Sequence, residues 1–349
     1  MRLPPPAAGD RVVVFRTDKI GDLLVSSPVF AAIRQSRPDA YVVLVASPYN
    51  APVLAGLPGL DEIVVYDAGW GFRAKLAFLW RLRALRPTTT LVLSPRMSGF
   101  FYALLSGAKR RGALLKSYRL LPRLLAPLLL SAQETIGRDQ AGWRHQSEAI
   151  LALAAKLGYR PTAAAGLGVP DDAAARGRMA ALLVAGAPRI AIHLGGCWAA
   201  GGIDAAGLLD LLRQFCARWP GASIVLTGGV AERALVQALA PTLRGAGALP
   251  GVQMFSDLSF AEWSAVLGAA DLVVTPDCGA VHLAAAHGKP VVVIYAPGRQ
   301  QRFVVEFGPW RVKFRALALP LPGPLAAHVL DAVAALLAEQ AFSADIADG

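Results

Sequence analysis

The stretch DLVVTPDCGAVHLAAAHGKPVVVIYAP, residues 271–297, constrains the fold of this chain more than any other. Leu272 to Thr275 and Val291 to Tyr295 are continuous apolar runs with no polar alternation, so each is predicted as a strand buried on both faces of a parallel sheet. A short helix, Gly279 to His287, and a Gly-Lys-Pro turn connect them. The turn before that helix carries Asp277, Cys278 and Gly279. With Asp277 as N-cap, the amides of Cys278, Gly279 and Ala280 become donors at the positive end of a helix, an arrangement that suits a phosphate. His282 follows one turn on and can donate to a phosphate oxygen. The spacing alone leaves a second reading open, in which Asp277 only caps and His282 is a satisfied helix residue.

The same alternation runs through the chain. Val12 to Phe15 reads as a buried strand, Arg16 to Asp22 as a polar loop, Leu23 to Ser36 as a helix and Tyr41 to Ala46 as a second strand. Strands at Ile63 to Tyr66 and Thr90 to Leu93, with a helix at Phe72 to Leu85 between them, continue an open doubly wound sheet. A helix at His145 to Leu157 follows, and from Tyr159 to Arg189 the pattern loosens into Ala, Gly and Pro. The rhythm resumes with a strand at Arg189 to Leu194, a glycine-rich loop, a helix at Ala205 to Trp219, a strand at Ser223 to Thr227 and a helix carrying Glu232. At 349 residues the chain is long for one core. The predicted division is residues 1–165, a linker at 166–187, a second domain at 188–324, and a helix with a tail at 325–349. Two parallel-sheet domains with loops at their strand ends imply a cleft between them, where ligand sites concentrate.

Charge and composition narrow the chemistry. The net charge is +11 and the isoelectric point about 10.0, so anionic partners are expected. Arg96, Lys109, Arg110, Arg111, Lys116, Arg119, Arg123, Arg138 and Arg144 concentrate that excess against Glu134 and Asp139 alone. No interleaved surface aromatics accompany them, and a nucleic-acid partner is not expected. The mean hydropathy of +0.45 is high, yet no apolar run reaches the length of a membrane span. The first residues lack the apolar stretch of a signal peptide, which places the expected site of action in the cytoplasm. Basic and apolar residues mixed with Pro122 and Pro127 between Leu114 and Ser131 admit two readings, a segment lying on an anionic membrane face or a loop packed by its leucines. Cys197, Cys216 and Cys278 are odd in number and not in metal-ligand spacing, so free thiols and no structural zinc are expected.

The loop after the first strand has one glycine where a dinucleotide fingerprint needs three, which disfavours hydride transfer. It offers Arg16, Thr17, Asp18, Lys19 and the pair Gly21-Asp22. Asp22 is either a general base for an acceptor hydroxyl or the cap of the helix at Leu23.

Two segments, FRTDKIGDLLVSSPVFAAIRQSRPDA and TPDCGAVHLAAAHGKPVVVIYAP, together resemble the bacterial ADP-heptose:lipopolysaccharide heptosyltransferases, glycosyltransferase family 9. The resemblance implies a GT-B fold, two Rossmann-like domains facing each other across a cleft, with a C-terminal helix returning to the first. It implies inverting, metal-independent transfer of heptose from ADP-heptose to a lipid A-Kdo type acceptor, an anionic glycolipid, at the inner face of the bacterial inner membrane, without a further cofactor. The family's catalytic aspartate falls on Asp22. Its donor motif falls on Asp277, Cys278, Gly279 and His282, and Glu232 corresponds to a ribose-contacting glutamate. Gly195 and Gly196 stand on the donor side, and Arg16, Thr17 and Lys19 on the acceptor side. One departure stands out: the family's loop after the strand at Arg189 usually carries a lysine for the donor diphosphate, whereas LGGCWAAGGIDAAG has Trp198 and no cation. Arg299, Arg302 or Lys19 are the cations available to replace it. Transfer from another nucleotide-sugar, and a noncatalytic member with a decayed donor site, are the alternatives this departure raises.

Overall fold

The computed structural model describes residues 9–94, 96–116, 128–137, 142–160, 165–244 and 249–347. It divides into two compact units, residues 1–170 with 305–307, and residues 171–304 with 308–349.

The first unit contains a six-stranded sheet of β1 (Arg11–Phe15), β2 (Tyr41–Ala46), β3 (Glu62–Val65), β4 (Thr89–Val92), β5 (Arg110–Lys116) and β6 (Ala132–Ile136), in the order β3-β2-β1-β4-β5-β6. Every pairing is parallel. Val12, Val13 and Val14 lie between β2 and β4 and are all but fully buried, which is why this strand reads as an unbroken apolar run.

The second unit repeats the plan with β7 (Arg189–His193), β8 (Ser223–Gly228), β9 (Val252–Ser256), β10 (Leu272–Pro276), β11 (Val291–Tyr295) and β12 (Phe314–Ala318), in the order β12-β11-β10-β7-β8-β9. Its pairings are parallel as well. Read from the other edge, the order is that of the first sheet. In each, the winding direction reverses between the first and fourth strands of the unit, β1/β4 and β7/β10. Loops leaving the carboxyl ends of such a strand pair bound a crevice, the usual ligand position in open α/β sheets.

Several elements differ from expectation. The helix expected over Leu23 to Ser36 is two helices, Ile20–Leu24 and Pro28–Ser36. Pro28 begins the second, and the hydroxyls of Ser26 and Ser27 donate to the carbonyls of Asp22 and Leu24 at 2.8 and 2.6 Å, satisfying the first helix's end. The helix Ala173–Leu182 lies where the linker was placed, yet Met179 and Leu183 pack with Val225 and Val266 in the second unit. β5, β6, β9 and β12 were not anticipated, because polar or arginine-rich starts break their apolar pattern. The C-terminal helix Leu325–Ala347 buries Leu325, Val329, Val333 and Leu336 in the core of the second unit and contacts β10, β11 and β12. Its apolar face therefore belongs to the second sheet and not, as expected, to the first domain. Of the segment Leu114 to Ser131, Leu114 to Lys116 end β5, and residues 117–127 lie outside the described residues.

Candidate functional site

At the carboxyl end of β1 the chain turns through Arg16, a residue that is 2% exposed. Its Nε donates to the Asp22 carbonyl and its Nη2 to Asp22 Oδ1, both at 3.0 Å. Nη1 donates to the carbonyl of Leu93, just past β4, and lies 3.5 Å from Asp18 Oδ2. Asn50, fully buried, donates from Nδ2 to the carbonyls of Arg16 and Asp18 at 3.1 and 3.2 Å. The Thr17 amide donates to Ser94 Oγ at 3.0 Å, and Arg96 Nε sits 3.1 Å from Asp18 Oδ1. A buried guanidinium is tolerable only with its donors satisfied and a carboxylate beside it, and Arg16 has both.

Two sequence expectations change here. Arg16, assigned to acceptor binding, is interior and holds the loop. Asp22 is not a helix cap: Lys19 is the N-cap, and Asp22 lies in the first turn of Ile20–Leu24, its side chain 26% exposed with Oδ1 held by Arg16. Thr17 is half-buried and Lys19 exposed, and the Lys19 ammonium has no partner among the described residues. Asn50 and Ser94 went unnoticed in the sequence, and Arg96 was counted there only among the basic residues, because each joins this loop only through the sheet's long-range pairing.

At the matching position in the second unit, β7 ends at His193 and runs into Gly195 and Gly196. A Cβ on Gly195 would stand 3.0 Å from Pro276 Cγ, tighter than an ordinary contact, so glycine there eases the loop's close approach to the end of β10. Gly196 faces open space. Trp198 is buried and donates from its indole to the His193 carbonyl at 3.0 Å, pinning the loop to the strand. His193 Nδ1 is 2.9 Å from Thr227 Oγ1, and its ring lies against Trp263. Burial lowers the imidazole to about 4, so it is neutral at ordinary pH.

The turn after β10 departs from expectation by one residue. The N-cap of Gly279–Ala286 is Cys278, and Asp277 precedes it. The Asp277 amide donates to the Ile294 carbonyl at 3.1 Å, which keeps Asp277 in the parallel pairing of β10 with β11 and delays the helix. Arg299 Nη2 lies 3.6 Å from Asp277 Oδ2, and its guanidinium stacks on Phe303 at 4.1 Å from the ring centroid. Burial raises the Cys278 thiol, with the Asp277 charge adding to it and the Thr275 hydroxyl and Ala280 amide opposing. Burial likewise raises Cys197, with Asp277 adding to the rise and Arg299 opposing it, and raises Tyr295, with Asp277 again contributing. These influences place Asp277, Cys197, Cys278, Tyr295 and Arg299 in one local field, with Arg299 its cation.

His282 lies on the first turn of this helix and is 4% exposed, an interior residue beneath the turn. Glu232 closes a single turn of 3-10 helix after β8, where its Oε2 accepts from the Gly229 amide at 3.1 Å. The structure thus brings Gly195, Gly196, Asp277, Cys278, Gly279 and His282 to the β7/β10 crevice, with Glu232 at the end of the adjoining strand. Arg299, noted in the sequence only as one of three available cations, lies beside Asp277. Among the described residues no group of three or more His, Cys, Asp or Glu is placed to hold a metal ion. A concavity away from these ends, lined by Asp10, Arg37, Lys109 and Arg110, lies at the amino ends of β1 and β4, where Asp10 is already paired with Arg110 and Arg37.

Chemically, the first crevice offers a held carboxylate that can accept a proton. The second offers a helix start and a guanidinium that can take an anion.

Comparison with known proteins bears on the family and the fold. A family model described as glycosyltransferase family 9 (heptosyltransferase) matches residues 140–323, a region that holds every second-unit site residue and none of the first-unit loop. No match was found among curated protein sequences. Among solved structures, a family 9 glycosyltransferase from Veillonella parvula superposes with a TM-score of 0.74 at 18% identity, covering 95% of this chain and 97% of that one. The ADP-heptose lps heptosyltransferase II of E. coli gives 0.72 at 17% identity, with 95% and 99% covered. The E. coli heptosyltransferase WaaC with ADP gives 0.67 at 19% identity, with 89% and 93% covered.

Proposed function

The chain belongs to glycosyltransferase family 9, the heptosyltransferases, and from that premise we propose that it moves heptose from ADP-heptose, with inversion and without a metal ion, to an anionic acceptor of the lipopolysaccharide inner core. Its GT-B-like fold and its class as a glycosyltransferase follow from the family and the superpositions. The donor, the acceptor and the residue roles are our reading.

In that reading the acceptor hydroxyl meets Asp22. Its oxygen attacks the anomeric carbon as the bond from that carbon to the diphosphate oxygen breaks, and the hydroxyl proton passes to Asp22 Oδ2, the carboxylate oxygen not held by Arg16. The displaced nucleoside diphosphate gains negative charge. The amides at the start of Gly279–Ala286 and the Arg299 guanidinium stabilise that charge, with His282 beneath them. Lys19, exposed at the same loop as Asp22, and Thr17 would contact the acceptor. Glu232 would take the ribose hydroxyls.

The observation that carries the proposal is the placement of Arg299 beside the Asp277–Gly279 turn. It supplies from a later segment the positive charge that LGGCWAAGGIDAAG lacks, so the missing lysine does not by itself disable the site. The lysine-free loop also favours a second reading, another nucleotide-sugar as donor, and one titration separates the two.

Calorimetric titration with ADP, ADP-heptose, UDP and GDP is expected to show binding of the adenine ligands, weakened in His282→Ala. Preference for UDP or GDP would replace the donor assignment, and absence of all binding would overturn the enzymatic proposal. With donor and acceptor present, Asp22→Asn is expected to lower kcat by about 10²- to 10⁴-fold while leaving ADP affinity unchanged. An Asp22→Asn enzyme with full kcat would remove Asp22 as the base.

A further inference from the structure

The helices Phe72–Ala84 and Met97–Leu105 of the first unit carry an apolar surface that no other part of the described structure covers. In the first helix, Phe78 and Leu82 face the core, while Phe72, Leu76 and Trp80, spaced four residues apart on the opposite side, are exposed, Phe72 by 79% and Trp80 by 64%. In the second, Tyr102 and Ala103 face the core, while Met97, Phe101 and Leu104 are exposed, Phe101 by 56%. Both helices pack on one face of the first sheet, with Phe78 and Tyr102 in one buried cluster and their rings 4.9 Å apart. Arg83 Nη1 also donates to the Leu105 carbonyl at 2.9 Å. The two outward stripes therefore lie side by side. An ordinary surface helix presents polar residues there, and scattered single apolar residues need no explanation, but six on two adjacent helices do.

The two helices themselves carry cations and no carboxylate, and the carboxylates that reach them, Glu62 on Arg81 and Asp18 on Arg96, come from elsewhere in the unit. Asp67 is followed by no Asp or Glu until Glu134, while Arg73, Lys75, Arg81, Arg83, Arg86, Arg96, Lys109, Arg110, Arg111 and Lys116 all lie between them. Arg73, Arg86 and Lys109 are exposed, and none of them is paired with a carboxylate among the described residues.

We propose that this face, Phe72, Leu76 and Trp80 with Met97, Phe101 and Leu104, docks the protein on an anionic phospholipid bilayer. Aromatic and aliphatic side chains enter the boundary between headgroups and acyl chains while the surrounding cations meet the headgroup phosphates. Trp80 has the amphipathic ring that favours that depth. A second copy of the chain fits worse, because a two-fold contact through this face would set its unpaired cations against themselves with no carboxylate to receive them. Attachment is peripheral: among the described residues no helix is long and apolar enough to cross a membrane. The proposal is independent of donor chemistry and differs in place from the Leu114 to Ser131 segment considered in the sequence.

The test is flotation of the full chain with vesicles of phosphatidylcholine alone and of phosphatidylcholine mixed with phosphatidylglycerol. Binding is expected to the mixed vesicles, to weaken in high salt, and to fall at least about tenfold in the double variant Trp80→Ser, Phe101→Ser. Leu182→Ser, which changes an exposed apolar residue of the second unit, is expected to bind as the parent does. Both substituted residues are exposed, so melting temperature and ADP titration should match the parent and show that the fold is intact. Failure to bind mixed vesicles, equal binding to neutral ones, or full binding by the double variant would each overturn the proposal. So would self-association in sedimentation that the double variant abolishes, since that would give the face to a second copy.

Discussion

The two units share one strand order and differ in what they build at its crevice. At β1/β4 the loop is made of charged side chains locked to one another: Arg16 bridges the end of β4 to Asp22, and Asn50 and Arg96 hold Arg16's neighbours. At β7/β10 it is made of glycine, cysteine and backbone, with the Arg299 guanidinium at the edge. The difference follows from the tasks proposed for them. A base must be aimed, which needs a rigid carboxylate, whereas a diphosphate needs close approach to amides, which needs small residues.

The comparison breaks most visibly at Arg16. Arg16→Met removes a buried cation that donates to three acceptors, leaving Asp22 Oδ1 and the Leu93 carbonyl without the donor it supplies. We expect a loss of about 3–5 kcal/mol in stability. Where the variant still folds, kcat should fall by more than Asp22's altered position alone would suggest, with ADP binding by the second unit unchanged. Arg16→Lys, which keeps the charge but not the fork, should recover stability partly and kcat little. Denaturant melts paired with ADP titration check both, and a stable, fully active Arg16→Met would show that the loop needs no such lock.

Arg299 sharpens the other side. If the second crevice relies on backbone amides with one cation, Arg299→Ala should weaken ADP by about ten- to a hundredfold, the worth of one charge-assisted contact of about 1.5–3 kcal/mol. Stability should hardly change, because the Arg299 side chain is about half exposed and its carboxylate partner lies at 3.6 Å. Calorimetry at low and moderate salt measures the loss. Unchanged affinity would mean that another group carries the diphosphate charge.

How legible each crevice was follows from the same contrast. The apolar strands and the helix after β10 were readable because burial on both faces leaves a local signature in sequence. So was the position of Asp22, since loops at strand ends are placed by the strands. Arg16 was not readable as an interior residue: an arginine in a polar loop looks like a surface cation, and its burial depends on the Leu93 carbonyl supplied by a distant strand. Asn50 was invisible for the same reason. Asp277 was expected to cap because aspartate is a better cap than cysteine, but sheet pairing with Ile294 overrode that local preference. The helix Ala173–Leu182 hid in an alanine-rich stretch with no strong periodicity, and the helix Leu325–Ala347 showed its period without showing which sheet it would cover.

The smallest effect concerns His193, a titrating group built into the backbone-lined crevice. Burial favours its neutral form, so its value in the folded protein, about 4, lies below the 6.5 of an unperturbed imidazole. Between those values the unfolded chain binds a proton that the folded chain does not. Stability is therefore full above about pH 6.5, declines as the pH falls through that value, and stops declining on this account near 4. From pH 7 to 5.5 the expected loss is about 1 kcal/mol. His287, also lowered by burial first and by Lys289 second, contributes in the same direction. The measurement is thus the difference between parent and His193→Asn, which keeps a side chain able to reach Thr227 and cannot titrate. Scanning calorimetry at both pH values should show the parent losing more than the variant. Equal losses would mean that the imidazole reaches water in the folded state, and that the second crevice is wetter at its floor than Trp198 and Trp263 make it.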